Sequence, residues 1–275
     1  MSRSAYTYSF ARIYDDIMSG VPYDLWYEYL NELLSFYNEQ PRKILDLACG
    51  TGNMTYRFAE KGKKVVGLDG SEQMLAVAQK KMSDSEGRIE FVQADLRDFS
   101  LPYKFDFVFS VFDSINYILT RRGLRKVFAN VQQVLEDDGI FIFDMNTIHR
   151  LMSIEPGSSL FTGENYSCVW MDRVDESSKK WSVKLKIKLK GEENGYYEEL
   201  HEETSYPLSD VKALLKETGF KEVDVYKAFT FSTANDSNNR VYFAAKKEPM
   251  KTSVGDLIKK KITWFFSKLF RYGWS

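Results

Sequence analysis

Residues 44–53, Ile-Leu-Asp-Leu-Ala-Cys-Gly-Thr-Gly-Asn, constrain the fold more than any other stretch of the chain. The apolar residues Ile44, Leu45 and Leu47 carry one acid, Asp46, towards a tight turn of Gly50, Thr51 and Gly52. A helical pattern follows from Asn53 to Lys61. Strand, glycine turn and helix in that order form the entrance of a nucleotide-binding α/β domain. Gly50 and Gly52 lack a Cβ, so the backbone can bend sharply and come close to a ligand. The next apolar run, Lys64 to Leu68, ends in Asp69. An acid there is placed to accept hydrogen bonds from both ribose hydroxyls of an adenosine. Two phosphate-binding loops fail: the third glycine of a dinucleotide fingerprint is Thr55, and the Gly-Lys-Ser/Thr of a P-loop is missing.

Three further apolar runs follow: Ile89 to Asp95, Phe105 to Val111, and Gly139 to Asp144. The last comes after a helical pattern from Gly123 to Leu135 and a turn at Asp137-Asp138-Gly139. Strands alternating with helices predict a Rossmann-like α/β fold with a doubly wound, mostly parallel, seven-stranded sheet. Residues 158–206 break that rhythm. Val183, Leu185, Ile187 and Leu189 alternate with lysines, the pattern of an antiparallel sheet with one wet face. Lysines 184, 186, 188 and 190 read as an anion stripe or, more simply, as a solvated face. Pro207 to Gly219 is a helix pattern with Ser209 as N-cap and Gly219 as stop. Lys221 to Phe231 and Arg240 to Lys246 would close the sheet as a hairpin. The chain thus divides into an N-terminal helical cap (1–40), a core (41–157 and 207–248), an inserted antiparallel β lobe (158–206) and a tail (249–275).

The set Asp46-x-Ala48-x-Gly50-x-Gly52 followed by Asp69 resembles the first two motifs of the class I S-adenosylmethionine (SAM) methyltransferases. That family usually has glycine at the position of Ala48. The texts "ADL" at 94–96, "FDFVFS" at 105–110 and "YPLSDVKALLKETGF" at 206–220 resemble its later motifs. The resemblance spans roughly residues 8–247 and is closest in pattern to enzymes acting on nucleotide-sugar amines and glycine-like amines. It implies SAM as cofactor, held by Asp46, Ala48, Gly50, Gly52, Asp69, Gly70, Met74, Ala94, Asp95, Leu96, Ser110 and Val111. In the family the acid equivalent to Asp95 bonds the adenine amine. "FARIYDDIM" at 10–18 resembles the family's N-terminal element, in which the tyrosine, here Tyr14, closes over the methionyl group. Phe10, Ile13, Tyr14 and Ile17 also read as one apolar helix face. Asp95 and Asp113 also read as solvated loop acids or helix caps, and for Asp113 that reading stands level with a role in the site.

Methyl transfer from SAM is an in-line displacement, so positioning and exclusion of water carry most of the work. A base is needed only where the acceptor arrives protonated. His149 and His201, the only two histidines, are the catalytic candidates, and Asn116 and Tyr117 the acceptor-binding ones. The expected acceptor is a small molecule, attacked at N or O. No Asn/Asp-Pro-Pro-Tyr follows the fourth strand, no Pro-Cys dipeptide occurs, and the formal net charge is −1, so no nucleic-acid partner is expected. Two cysteines and two distant histidines give no metal motif. The first 13 residues lack a signal-peptide core and no long apolar run occurs, which favours the cytoplasm. Residues 250–275 carry six basic residues and one acid, with aromatics on one helical side of 256–274. That tail reads as contact with the inner membrane surface or as packing on the enzyme or a partner subunit. Membrane recruitment would suit a lipid-like acceptor such as a quinone precursor; a non-catalytic SAM-binding role is the remaining alternative.

Overall fold

A computed structural model describes residues 5–82, 87–192 and 195–249. Helices α1 (Tyr8–Ala11), α2 (Tyr14–Ile17) and α3 (Tyr23–Phe36) lead into β1 (Lys43–Leu47), α4 (Asn53–Glu60), β2 (Lys64–Asp69), α5 (Glu72–Lys81), β3 (Ile89–Gln93) and β4 (Phe105–Ser110). A 3-10 turn, Ser114–Tyr117, precedes α6 (Arg121–Val134), β5 (Leu135–Asn146) and α7 (Ile148–Met152). Then come β6 (Gly157–Gly163), β7 (Tyr166–Asp175), β8 (Lys180–Leu189) and β9 (Tyr197–Thr204). Helix α8 (Leu208–Glu217) and strands β10 (Glu222–Lys227) and β11 (Arg240–Lys246) complete the described chain.

The main sheet runs β10-β11-β5-β4-β1-β2-β3. Its pairs from β5 through β3 are parallel, whereas β11 is antiparallel to both neighbours. Successive side chains of a strand point to opposite faces. Leu45, Leu47, Val108, Phe141 and Phe143 therefore pack with Leu124, Val127 and Phe128 of α6 and Val211 and Leu214 of α8. Ile44, Phe107, Phe109, Ile140 and Ile142 pack on the other face with Leu30, Leu33 and Leu34 of α3 and Phe58 of α4. Two dry faces explain why these strands read as unbroken apolar runs.

The lobe is a separate antiparallel sheet ordered β6-β7-β8-β9. Val183, Leu185, Ile187 and Leu189 are buried in it, under Phe10 and Ile13. On the wet face Lys184 and Lys186 both reach Glu198, at 3.0 and 3.7 Å. These lysines belong to cross-strand ion pairs on a solvated face, each worth little.

Four local expectations change. The Phe10–Ile17 face is split between α1 and α2, because Phe10 and Ile13 cover the dry side of the lobe while Tyr14 also reaches the cavity described below. The expected turn at 137–139 is absorbed into β5, whose register against β4 jumps from Phe105–Leu135 to Phe107–Ile140. Such a jump is the mark of a bulge. Pro207, not Ser209, caps α8, and the Leu208 N–H is satisfied from outside the helix by Asp236 Oδ1 at 2.9 Å. Strand β10 ends at Lys227, so Phe231 lies in the following loop. Of the tail, only Pro249 lies among the described residues, so the helix expected at 256–274 falls outside them. Among the described residues no helix is long and apolar enough to cross a membrane.

Candidate active site

A cavity of about 520 Å³ opens beside the carboxyl ends of β1, β2 and β4. The glycine loop forms its floor. Ala48, Gly50 and Gly52 all take left-handed backbone angles, with φ of 60°, 55° and 78°. Only glycine adopts that region without cost. The glycine usual at position 48 in the resembling family thus has a physical reason, and Ala48 carries strain there. Asp69 ties the loop to the end of β2: its Oδ2 accepts from the Gly50 N–H and its Oδ1 from the Ser71 N–H, each at 2.8 Å. Burial pushes the Asp69 carboxyl up, against the backbone N–H groups that pull it down. Each carboxylate oxygen keeps a further lone pair for a ligand.

Asp46 is buried beneath the loop and accepts from the Thr55 hydroxyl at 2.6 Å. Burial pushes its pKa up to about 7. Thr55, the residue that breaks the dinucleotide fingerprint, is therefore the partner of the buried acid. Gly70, Met74, Leu96 and Val111 line the same cavity. Ala94 sits behind it, donating its N–H to the Asp69 carbonyl at 3.0 Å. Gly52 and Ser110 are not on the cavity wall, and Ser110 is fully buried. Asp95 lies on the wall but is paired with Arg97, whose Nε donates to Oδ1 at 2.8 Å. That hydrogen bond holds the Asp95 carboxyl below its ordinary range.

The N-terminal segment bridges the cavity from loop to lobe. On the loop side Asp15 accepts from the Thr51 hydroxyl at 2.6 Å and the Asn53 amide at 2.9 Å, and pairs with Lys81 at 2.7 Å. Burial alone would raise the Asp15 pKa; these three partners outweigh it and lower it. Ser71 donates its hydroxyl to the Tyr6 carbonyl at 2.6 Å. On the lobe side Tyr166 donates to Asp16 at 2.6 Å, Arg12 pairs with Glu192 at 3.0 Å, and the Thr7 hydroxyl donates to Glu199. Tyr6, Tyr14 and Tyr23 face into the cavity from this segment and α3.

Behind the Val111, Phe112 and Tyr117 side of the cavity, and not on its wall, lies a polar cluster assembled from distant segments. Phe112 and Asp113 take left-handed angles in succession, φ 61° and 54°, just after β4. Such strain persists only where surrounding contacts enforce it. Here the Asp113 N–H donates to Asp144 Oδ1 at 2.9 Å, and its carboxylate holds Asn146 at 2.7 Å and Arg240 at 3.1 Å. Asp113 is thus neither a solvated loop acid nor a side-chain helix cap. Arg240 also pairs with the fully buried Asp144. Glu203, almost fully buried, stands near this cluster, and burial followed by the Asp113 charge pushes its pKa well above the ordinary carboxylate range.

Of the four acceptor-side candidates, only Tyr117 lines the cavity. Asn116 is fully buried and committed to structure: it donates to the Asn146 and Thr204 carbonyls at 3.0 and 2.8 Å and accepts from the Asn146 N–H at 2.9 Å. It joins main sheet to lobe and has no group left for an acceptor. His149 is exposed on α7, away from the cavity wall. His201 is buried behind Tyr117, its Nδ1 3.2 Å from the Tyr117 hydroxyl. Tyr6, Asp15, Glu199, Glu203 and Arg240 were not foreseen. One signal was available: on β9 the charged Glu199, His201 and Glu203 face inward while Leu200 is exposed, the reverse of the usual alternation.

A Bacillus subtilis (strain 168) protein, YqeM, whose name carries a provisional methyltransferase assignment, is 34% identical over 242 residues, covering 86% of this chain and 96% of that protein. The chain belongs to the methyltransferase family. Residues 44–139 match the family described as "Methyltransferase domain". A SAM-dependent methyltransferase from Clostridium acetobutylicum ATCC 824 has a crystal structure similar to this one, with a TM-score of 0.74 and 27% identity over 87% of this chain and 98% of that one. A dTDP-3-amino-3,4,6-trideoxy-α-D-glucopyranose N,N-dimethyltransferase of Streptomyces venezuelae is 33% identical over 113 residues, 41% of this chain and 46% of that enzyme.

The methyltransferase cofactor fits this floor on physical grounds. The loop admits close backbone approach, Asp69 retains acceptor capacity at the end of β2, and the cavity has the volume of a small-ligand site. SAM carries no phosphate, and an acid-rich floor suits its cationic sulfonium better than it would suit a pyrophosphate.

Proposed function

We propose that this methyltransferase uses SAM to methylate a nitrogen of a small amine acceptor bound between the glycine loop and the β lobe. One observation carries the reading: a single cavity is lined by Gly50 and Asp69 on one side and by the hydroxyl-bearing Tyr6, Tyr14 and Tyr117 on the other. SAM, when bound, supplies an electrophilic methyl group on a good leaving group. The chain's own residues position the partners and exclude water. Asp69 and the left-handed loop orient the adenosine end. The bridging N-terminal segment, pinned at both ends, screens the cavity from solvent. An amine rather than a hydroxyl acceptor is supported by the acid excess of the lining, where Asp46, Asp69 and Asp95 stand against Arg97 alone. The amino-sugar methyltransferase among the relatives points the same way. The test is turnover of methyl-labelled SAM with glycine and with 3-amino-3-deoxy sugars. Label transferred to either amine, with release of S-adenosylhomocysteine, supports the reading. Transfer only to hydroxyl or lipid-like acceptors contradicts it.

A further inference from the structure

Behind the cavity wall runs an oriented chain of polar groups that cofactor binding does not require. The Tyr6 hydroxyl donates to the Tyr117 hydroxyl at 2.9 Å. The Tyr117 hydroxyl lies 3.2 Å from Nδ1 of His201. On the far side of the ring, Nε2 lies 3.3 Å from Glu199 Oε2, within ion-pair distance but outside hydrogen-bond geometry, and neither atom has another hydrogen-bond partner. Glu199 is fully buried and His201 nearly so, whereas Tyr6 and Tyr117 line the cavity. The Thr7 N–H and hydroxyl fix the other Glu199 oxygen, Oε1. The rings of Tyr6 and Phe10 meet the imidazole edge-on at 4.8 and 5.2 Å, so it cannot turn freely.

The surroundings choose the histidine tautomer. Glu199 as a carboxylate is acceptor-only, and its charge 3.3 Å from Nε2 favours a proton on that nitrogen. Nδ1 is then the acceptor, and Tyr117, receiving from Tyr6, has its own proton free to give to Nδ1. Every donor in the chain points away from the cavity. The Tyr6 oxygen keeps lone pairs at the open end.

We propose that Tyr6, Tyr117 and His201 form a proton relay that takes a proton from the ammonium group of the acceptor, with Glu199 holding the imidazole in its receiving tautomer. The inference rests on the amine-acceptor reading above and adds the route by which the amine becomes a nucleophile. The acceptor N–H proton passes to Tyr6 Oη, the Tyr6 proton to Tyr117 Oη, and the Tyr117 proton to His201 Nδ1. The freed nitrogen lone pair forms the new N–C bond to the methyl carbon; the C–S pair stays on sulfur. The imidazolium so formed lies beside the Glu199 carboxylate and returns its proton by the same path to solvent water that enters the cavity once product has left. Burial raises the pKa of both Tyr6 and Tyr117, so the hydroxyls exchange protons without a lasting phenolate. Tyr6 is the residue that would touch the acceptor. Glu199 is a positioning residue. The other charged groups near the chain are Glu203, two residues along β9, and Asp113 with its partner Arg240.

Histidine nitrogen NMR on the full chain tests the wiring without an acceptor. Only two histidines exist, so a His149→Asn variant assigns His201. The expected spectrum at pH 7.5 is a neutral Nε2–H ring with a hydrogen-bonded Nδ1, whose resonance moves to the unbonded position in Tyr117→Phe. A ring protonated on Nδ1, or a resonance indifferent to Tyr117→Phe, overturns the relay. With glycine or 3-amino-3-deoxyglucose as the probe acceptor, Tyr6→Phe and His201→Gln should each lower kcat by about 10²-fold at pH 7. The loss should shrink as pH rises, because the amine then arrives already deprotonated. A loss equal at every pH marks a structural role and overturns the relay. Should the His201→Gln variant not fold, Tyr6→Phe carries the kinetic comparison. Calorimetric binding of S-adenosylhomocysteine keeps the two readings apart: no binding by the wild type defeats the methyltransferase assignment of the cavity, whereas binding with a miswired His201 defeats only the relay.

Discussion

The two walls of the cavity are built in opposite ways. The loop wall is local: residues 46–55 supply the buried acid, the left-handed loop and the threonine that holds the acid, and Asp69 closes the set 19 residues from Gly50. The opposite wall presents Tyr6 and Tyr117 from the N-terminal segment and the turn after β4, backed by a polar cluster from the end of β5, β9 and β11 that does not itself line the cavity. The first uses backbone N–H groups and two carboxylates. The second uses buried charges that must satisfy one another or cost several kcal/mol each. Damage to the first should therefore be felt in binding, and damage to the second in stability.

The largest effect should come from Arg240→Met. It removes the cation that Asp113 and the fully buried Asp144 share. Leaving buried carboxylates unpaired costs about 3–5 kcal/mol, readable as a lower urea midpoint. A variant as stable as the wild type would break the contrast between the walls. Asn116→Ala should cost about 2–3 kcal/mol, since it strips partners from the Asn146 N–H and the Thr204 carbonyl at the seam between sheet and lobe. The same titration checks it, and a loss below about 0.5 kcal/mol would mean the seam is held elsewhere.

Asp46 sharpens the comparison through pH. Its folded pKa, about 7, lies above the ordinary carboxylate value. From roughly pH 4 upward the folded state therefore holds a proton that the unfolded state has lost. This group's contribution to stability is fully present below pH 4 and is lost as pH rises to about 7, levelling beyond. In the Asp46→Asn variant that slope should vanish, so the variant gains on the wild type across this window. Parallel stability curves from pH 4 to 8 would show that the burial of Asp46 carries no penalty. The smallest effect belongs to Ala48→Gly. Relief of a left-handed alanine and the added freedom of the unfolded chain oppose each other, leaving a net gain of about 1 kcal/mol or less. A clear loss would mean that the Ala48 methyl packs usefully against the cavity.

The same contrast explains what could be read from the sequence. Alternating strands and helices, the glycine turn and the acid after the second strand are contiguous signals, and the mostly parallel sheet followed from them, as the separate antiparallel sheet followed from the alternation at 183–189. Helix α8 was legible but its cap was not, because the group that satisfies Leu208 comes from Asp236, across a tertiary contact. Asn116 and His149 stand just after strands of the main sheet, where such sheets bind ligands. Position gave no view of side-chain commitments: Asn116 is used up in three hydrogen bonds and His149 faces out from α7. Arg240 and Glu203 were invisible because each is defined by partners on other segments. The inverted face of β9 was the one local sign that this strand borders a polar interior.

The most direct test is calorimetric titration of the full chain with S-adenosylhomocysteine, comparing wild type, Asp69→Ala and Tyr117→Phe. Wild type should bind. Asp69→Ala should lose at least about 10²-fold in affinity, since the two backbone N–H groups it orients and its free lone pairs all go at once. Tyr117→Phe should bind nearly as the wild type does. A wild type that does not bind, or an Asp69→Ala variant that binds as tightly as wild type, would contradict the assignment of this loop as the cofactor site.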